Sequence, residues 1–101
     1  MHNLLHTHLA GIRDLCQAHH VLSLHAFGSV LRQEFGPHSD VDLVVVFDRS
    51  RGHSAFAQYF DFKEALETLL GREVDLVSGH AVRNPFFQKQ VEATKVLLYA
   101  A

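Results

Sequence analysis

Val41-Asp42-Leu43-Val44-Val45-Val46-Phe47 (VDLVVVF) is the stretch on which the fold turns, a continuous apolar run broken by one acid. A short run of this kind reads as a central β-strand covered on both faces rather than as a half-exposed edge. Asp40 and Asp42 stand at its entry. Side chains two apart along a strand project to the same face, so both carboxylates aim at one spot.

Upstream, Leu5, Leu9, Ile12 and Cys16 recur at helical spacing, with Leu4 and Leu15 beside them, and predict a helix over about Asn3 to His19. Val21 to Phe27 (VLSLHAF) reads as a strand that Gly28-Ser29 breaks; Val30 to Phe35 fits a short helix, ended by Gly36-Pro37. Downstream of the central strand, a polar loop (DRSRGHS) leads to a helix over Phe56 to Leu70. That helix carries Tyr59, Phe62, Leu66 and Leu69 on one face, and Gly71 is placed to cap its C-terminus. Glu73 to Val77 (EVDLV) reads as a further strand. Asn84-Pro85 reads as an N-cap and first helical position, opening a helix to about Thr94, and Val96 to Tyr99 adds a short edge strand. This order predicts an α/β domain, a small mixed sheet with helices packed against it, spanning residues 1–101 as a single unit.

Composition narrows the function classes. The chain has 101 residues, 48% of them apolar and 20% charged, which suits one globular domain with a thin core. Nine Lys and Arg against eleven Asp and Glu, scattered along the chain, do not provide the clustered bases that grip a nucleic-acid backbone. Direct nucleic-acid binding and template-directed polymerisation are therefore not expected. The single cysteine, Cys16, can form neither an internal disulfide nor a CxxC site and reads as a small core residue. No apolar run approaches membrane-spanning length and the N-terminus lacks a signal-peptide layout, so the expectation is a cytoplasmic protein with no membrane association.

The acids carry the chemistry. Asp75 is flanked by Val74 and Leu76 in a strand that reads as buried, and Asp42 lies within the most apolar strand. Buried carboxylates are costly and repel one another, and a divalent cation offsets both penalties. Hard oxygen donors of this type suit Mg²⁺, which completes its shell with water and phosphate. Gly28-Ser29, between a strand and a short helix, lets the backbone approach a phosphate, and Arg32 lies within reach one turn later. Each element also has a plainer reading. Ser39-Asp40 forms an ordinary turn, Asp75 is an edge-exposed or paired acid, Gly28-Ser29 is a simple loop, and Arg32 is a solvated surface residue.

Together the elements are more specific. FGSVLRQEFGPHSDVDLVVVF places Gly28-Ser29 ten residues before Asp40-Val41-Asp42. The string resembles the signature of the nucleotidyltransferase superfamily that includes DNA polymerase beta. The stretch YFDFKEALETLLGREVDLVSGHAVRNP is similar to the second half of the minimal nucleotidyltransferases, and the resemblance runs from about residue 20 to 100. It implies a polymerase beta-like core in which Asp40, Asp42 and Asp75 are the catalytic and metal-binding carboxylates, holding Mg²⁺, two ions in all. Asp75 would also help to deprotonate the attacking hydroxyl. Gly28 and Ser29 would hold the β- and γ-phosphates of ATP, helped by Arg32, with Ser39 counted among the nucleotide-binding residues. Gln33 departs from the small residue that many relatives carry after Arg32.

The resemblance further implies a job. Minimal nucleotidyltransferases are commonly antitoxins in a hetero-oligomer with a HEPN-domain toxin, and active members transfer AMP from ATP to a tyrosine of that toxin. The chain ends soon after the core, without the helical domain that antibiotic-modifying relatives use for their acceptors, so a protein acceptor is expected. Two rivals stand beside this reading: an antitoxin that works by contact alone, and a small-molecule nucleotidyltransferase whose acceptor site lies on another chain. A domain using its acids for solubility alone does not explain Asp42 and Asp75 inside apolar strands. The nine histidines include no HExxH pattern and read as surface residues, His38 beside the acids among them. Phe86-Phe87 read as core. P-loop and GxGxxG motifs are absent.

Overall fold

The computed structural model describes residues 3–28, 40–50, 54–79, 85, 89 and 93–101. Its elements are α1 (Asn3–Thr7), α2 (Leu9–Ala18), β1 (Val21–Phe27), β2 (Val41–Phe47), α3 (Ala55–Leu70), β3 (Val74–Ser78) and β4 (Val96–Ala100). The four strands form one sheet in the order β3-β2-β1-β4. β1 is antiparallel to both β2 and β4, while β2 and β3 are parallel. Parallel neighbours cannot be joined by a hairpin, and α3 is the crossover between them.

VDLVVVF lies inside the sheet, and its alternation sets the two faces. Val41, Leu43, Val45 and Phe47 point to a core shared with Leu5, Ile12 and Cys16 of the first two helices and Phe62, Leu66 and Leu70 of α3. The Phe62 ring meets Phe47 edge-on, with centroids 5.7 Å apart. On the opposite face Val44 is also buried, packed with Phe27 and Val77, which explains why the run is apolar throughout. Asp42 shares that second face and is half-buried.

Two expectations are adjusted. The first helix is two helices, because His8 leaves helical geometry at φ −103°, ψ 12°. Its backbone N–H donates to Leu4 O at 3.2 Å, and its Nδ1 lies 2.9 Å from the same oxygen. A side chain that competes for a helix carbonyl loosens the turn at that point. On α3 the fully buried stripe is Phe62, Leu66 and Leu70 with Gln58, while Tyr59 and Leu69 flank it. Gln58 is only 7% exposed, and hydrophobic periodicity misses it. Its amide donates to His19 O and Asp48 O at 3.2 and 3.5 Å, and its Oε1 accepts from Arg49 at 3.2 Å. These bonds satisfy a buried polar group and tie α3 to the ends of α2 and β2. The short helix expected over Val30 to Phe35 lies outside the described residues. So does nearly all of the helix expected after Asn84, Phe86-Phe87 included.

Other boundaries agree. Ser54 caps α3, accepting from Ala57 N–H. Gly71 closes it in the left-handed conformation (φ 68°), donating to Glu67 O at 2.8 Å. β4 is the outer strand beside β1, tied to α2 by Arg13 Nε donating to Leu98 O at 3.1 Å. No helix among the described residues is long and apolar enough to cross a membrane.

Cys16 is fully buried, and loss of hydration pushes its thiol up to about 12. It is therefore expected to resist iodoacetamide in the native protein at pH 8 and to react only once denaturant unfolds the chain. Rapid labelling without denaturant would contradict this burial.

Candidate functional site

The topology brings three strand ends together. Because β1 runs against β2 and β3 runs with it, the exit of β1 lies beside the entries of β2 and β3. Across that end Phe27 pairs with Asp42, and Asp42 pairs with Asp75. Neighbouring strands lie about 4.8 Å apart. Direct parallel partners share a face, so the Asp42 and Asp75 side chains leave the sheet on the same side. Asp40 precedes β2, two residues before Asp42.

Asp40 and Asp75 are exposed and Asp42 is half-buried, so the idea that buried acids demand a cation does not hold for the described residues. The physical reason is the sheet order. β3 is an outer strand, and its alternation sends Val74 and Leu76 into the core while Asp75 faces away from the helices. The plainer reading of Asp75 as an edge-exposed acid describes its burial. The geometric argument for a shared site is untouched by this, because it rests on register and not on burial.

Gly28 adds a second constraint. It ends β1 with φ +69°, the left-handed region, and a Cβ there would run into Asp42 Oδ2 and lie 3.2 Å from its Cγ. Only glycine lets the Asp42 carboxylate lie against the backbone at this turn. Ser29, Arg32, Ser39 and His38 lie outside the described residues.

An open cleft of about 640 Å³ continues from the strand ends to the C-terminal turn of α3. Asp40, Glu73, Val74 and Asp75 line it from the strands, and Lys63, Glu67, Gly71 and Arg72 from the helix and its cap. Asp42 does not line it and lies instead against Gly28. Lys63, Glu67 and Arg72 escaped the reading of the sequence. The available signal was the Lys63–Glu67 spacing of four on a helix leading straight into the Asp75 strand. Lys63 Nζ lies 3.1 Å from a Glu67 carboxylate oxygen, and the same oxygen accepts from Val74 N–H at 2.9 Å. The Val74 N–H, followed by Lys63, holds the Glu67 carboxyl below its usual range, while the bond to Glu67 raises Lys63.

Among the described residues, no three His, Cys, Asp or Glu side chains close around a common metal position. The donors are carboxylates on one face, with Asp42 seated in a space that a Cβ on Gly28 would fill. Such a set does not make the closed cage of a structural zinc site. It fits Mg²⁺, which takes one or two carboxylates and fills its shell with water and substrate phosphate.

The chain matches the family described as "Polymerase beta, Nucleotidyltransferase" over residues 11–101. It is 38% identical over 72 residues to a Methanocaldococcus jannaschii protein named as a candidate protein adenylyltransferase, covering 71% of each chain. It superposes on a solved structure described as a candidate minimal nucleotidyltransferase with TM-score 0.77 and 33% identity over 95% of both chains. It also superposes on a chain from the complex of tri-AMPylated Shewanella oneidensis HEPN toxin with MNT antitoxin. There the TM-score is 0.67 at 17% identity, covering 95% of this chain and 72% of that one, which is a likeness of fold.

Two outcomes follow from this geometry. Gly28→Ala forces a side chain into left-handed backbone and against the Asp42 carboxylate, and should cost about 1–3 kcal/mol, read as a lower urea midpoint. An unchanged midpoint would show that the turn is not built this way. Glu67 has a folded-state affinity for protons below its unfolded one. Its stabilising contribution is therefore complete above about pH 4.5 and disappears as pH falls through the depressed folded value. The stability gap between wild type and Glu67→Gln should accordingly narrow on acidification from pH 6 to pH 3, and a gap independent of pH would refute it.

Proposed function

Because this chain belongs to the polymerase beta-type nucleotidyltransferase family, and within it to the minimal nucleotidyltransferases, we propose that it is a Mg²⁺-dependent protein adenylyltransferase. In this reading it moves AMP from ATP to a tyrosine hydroxyl of a HEPN-domain toxin, and acts as the antitoxin in a hetero-oligomer with it. The observation that carries the proposal is the register of β2 and β3, which pairs Asp42 with Asp75 on one face beside the Gly28 turn.

Members of this family generally use a nucleoside triphosphate and a divalent metal. Asp40, Asp42 and Asp75 are the residues that would hold Mg²⁺, two ions in the full reading. Bound there, Mg²⁺ neutralises phosphate charge and activates the attacking oxygen. The chain's own part is positioning. Asp42 lies in space that a side chain at Gly28 would take, and Asp75 would accept the proton of an incoming hydroxyl. Gly28 presents backbone without a side chain to the phosphates, and Ser29, Arg32 and Ser39 complete the triphosphate contacts. Phosphoryl transfer needs little covalent help from protein, so orientation and charge account for most of the rate.

A protein acceptor is supported by the relative from Methanocaldococcus jannaschii, named for that activity, and by the AMPylated toxin in the Shewanella oneidensis complex. It also accords with a net charge of −2 and no concentration of bases suited to a nucleic-acid acceptor. We place the reaction in the cytoplasm and assign it to residues 1–101 acting as one domain.

Incubation with α-phosphate-labelled ATP, Mg²⁺ and lysate of the host, beside the Asp40→Ala/Asp42→Ala variant, tests the proposal. Wild type should label a protein band, and the band should identify the toxin. Metal ligation supplies several kcal/mol of transition-state stabilisation, so the variant should lose about 100-fold or more. Equal neutralisation of the toxin by the variant would instead mark an antitoxin that works by contact alone. Label in a small molecule would mark an acceptor of the other class.

A further inference from the structure

β3 is an outer strand of the described sheet, so among the described residues half of its backbone groups face no strand. Which half follows from the ladder. Val41 N–H donates to Glu73 O at 3.0 Å, so the backbone of Glu73, and of Asp75 by alternation, faces β2. The backbone of Val74 and Leu76, on either side of Asp75, therefore faces outward. Both of these outward positions are occupied by side chains of α3. Glu67 accepts the Val74 N–H at 2.9 Å, and the Tyr59 hydroxyl donates to Leu76 O at 2.5 Å.

Tyr59, Lys63 and Glu67 recur every fourth residue, so they follow one another up a single face of α3, about 12 Å from first to last. Lys63 sits between the other two, and its ammonium meets, at 3.1 Å, the same Glu67 oxygen that accepts the Val74 N–H. The helix runs back along the strand it leads into. The late residue Glu67 thus meets the start of β3, and the early residue Tyr59 meets its middle.

We propose that Tyr59 and Glu67 are positioning residues for the third carboxylate. They form a two-point clamp on the free edge of β3 that holds Asp75 opposite Asp42. An unclamped outer strand frays, because a strand bonded on one side only opens at low cost. Fraying at Val74 to Leu76 would move Asp75 out of register with Asp42 and widen the space that a cation must bridge. The hydrogen bonds of Tyr59 and Glu67 to β3 are to its backbone, and each residue acts through the backbone next to Asp75. The inference rests on the reading of Asp75 as a metal ligand.

The test uses the full chain and Mn²⁺ alone as the probe, its affinity followed by water-proton relaxation without nucleotide. Amide exchange is measured alongside, with the β2 amides reporting the global fold. Glu67→Ala and Tyr59→Phe should speed exchange at Val74 to Leu76 relative to β2 and weaken Mn²⁺ binding about tenfold. Glu67→Gln keeps a carbonyl oxygen able to accept the Val74 N–H and should recover most of that affinity. In an Asp75→Asn background, Glu67→Ala should weaken Mn²⁺ no further, since its route of action is gone. If Asp75→Asn weakens Mn²⁺ but Glu67→Ala and Tyr59→Phe do not, the clamp is overturned and the reading of the site survives. If Asp75→Asn leaves Mn²⁺ affinity unchanged, that reading falls and the clamp proposal falls with it.

Discussion

The parallel pairing of β2 with β3 is the constraint on which the rest depends. A slip of one residue would turn every β3 side chain to the opposite face. Asp75 would enter the core, and Val74 and Leu76 would leave it. Those two side chains oppose the slip, since each is buried and worth about 1.5–3 kcal/mol relative to exposure. An isolated carboxylate driven into the core would add a larger penalty. The position of Asp75 beside Asp42 is thus a consequence of ordinary hydrophobic packing, with no special strain needed to hold it.

α3 makes that pairing possible in three ways. It closes the crossover, which a parallel pair cannot do without. It fills the core with Phe62, Leu66 and Leu70. And it anchors its own N-terminal half through Gln58, which bridges the ends of α2 and β2 where three backbone segments meet. Among the described residues no other element takes over these tasks, and the cleft they form is open rather than enclosed: its walls are strand ends and one helix turn.

What could be read in advance divides along physical lines. The VDLVVVF strand, the Gly71 cap and the β4 edge were legible because each depends on local chemistry: an apolar run, a residue tolerant of positive φ, a short apolar tail. The break at His8 was not, because a histidine that competes for its helix carbonyl leaves no mark in hydrophobic periodicity. Gln58 was hidden for a related reason, since its burial depends on carbonyls far along the chain. At the site, Asp40 and Asp42 are two residues apart at the entry to β2, yet Asp40 lines the cleft and Asp42 does not. The pairing of Asp75 with Asp42 required the sheet order, and so did the exposure of Asp75, which its apolar neighbours disguised. Lys63 and Glu67 resembled an ordinary surface pair, and only the Val74 amide distinguishes them.

Electrostatics connects this site to its proposed chemistry. Asp40, Asp42, Asp75 and Glu73 gather at one end of the sheet, and the cleft there also holds Lys63 and Arg72. Among the described residues at this end carboxylates outnumber cations, and Lys63 is engaged by Glu67. A bare triphosphate meets repulsion there, whereas a triphosphate already carrying divalent cations meets carboxylates able to complete the metal shells. Under the proposed function, affinity for nucleotide would be tied to metal by Coulomb's law, whatever the acceptor. The acceptor is a separate matter: the described residues leave the cleft open on its outer side, and under the proposed function a folded partner would supply the missing walls from outside.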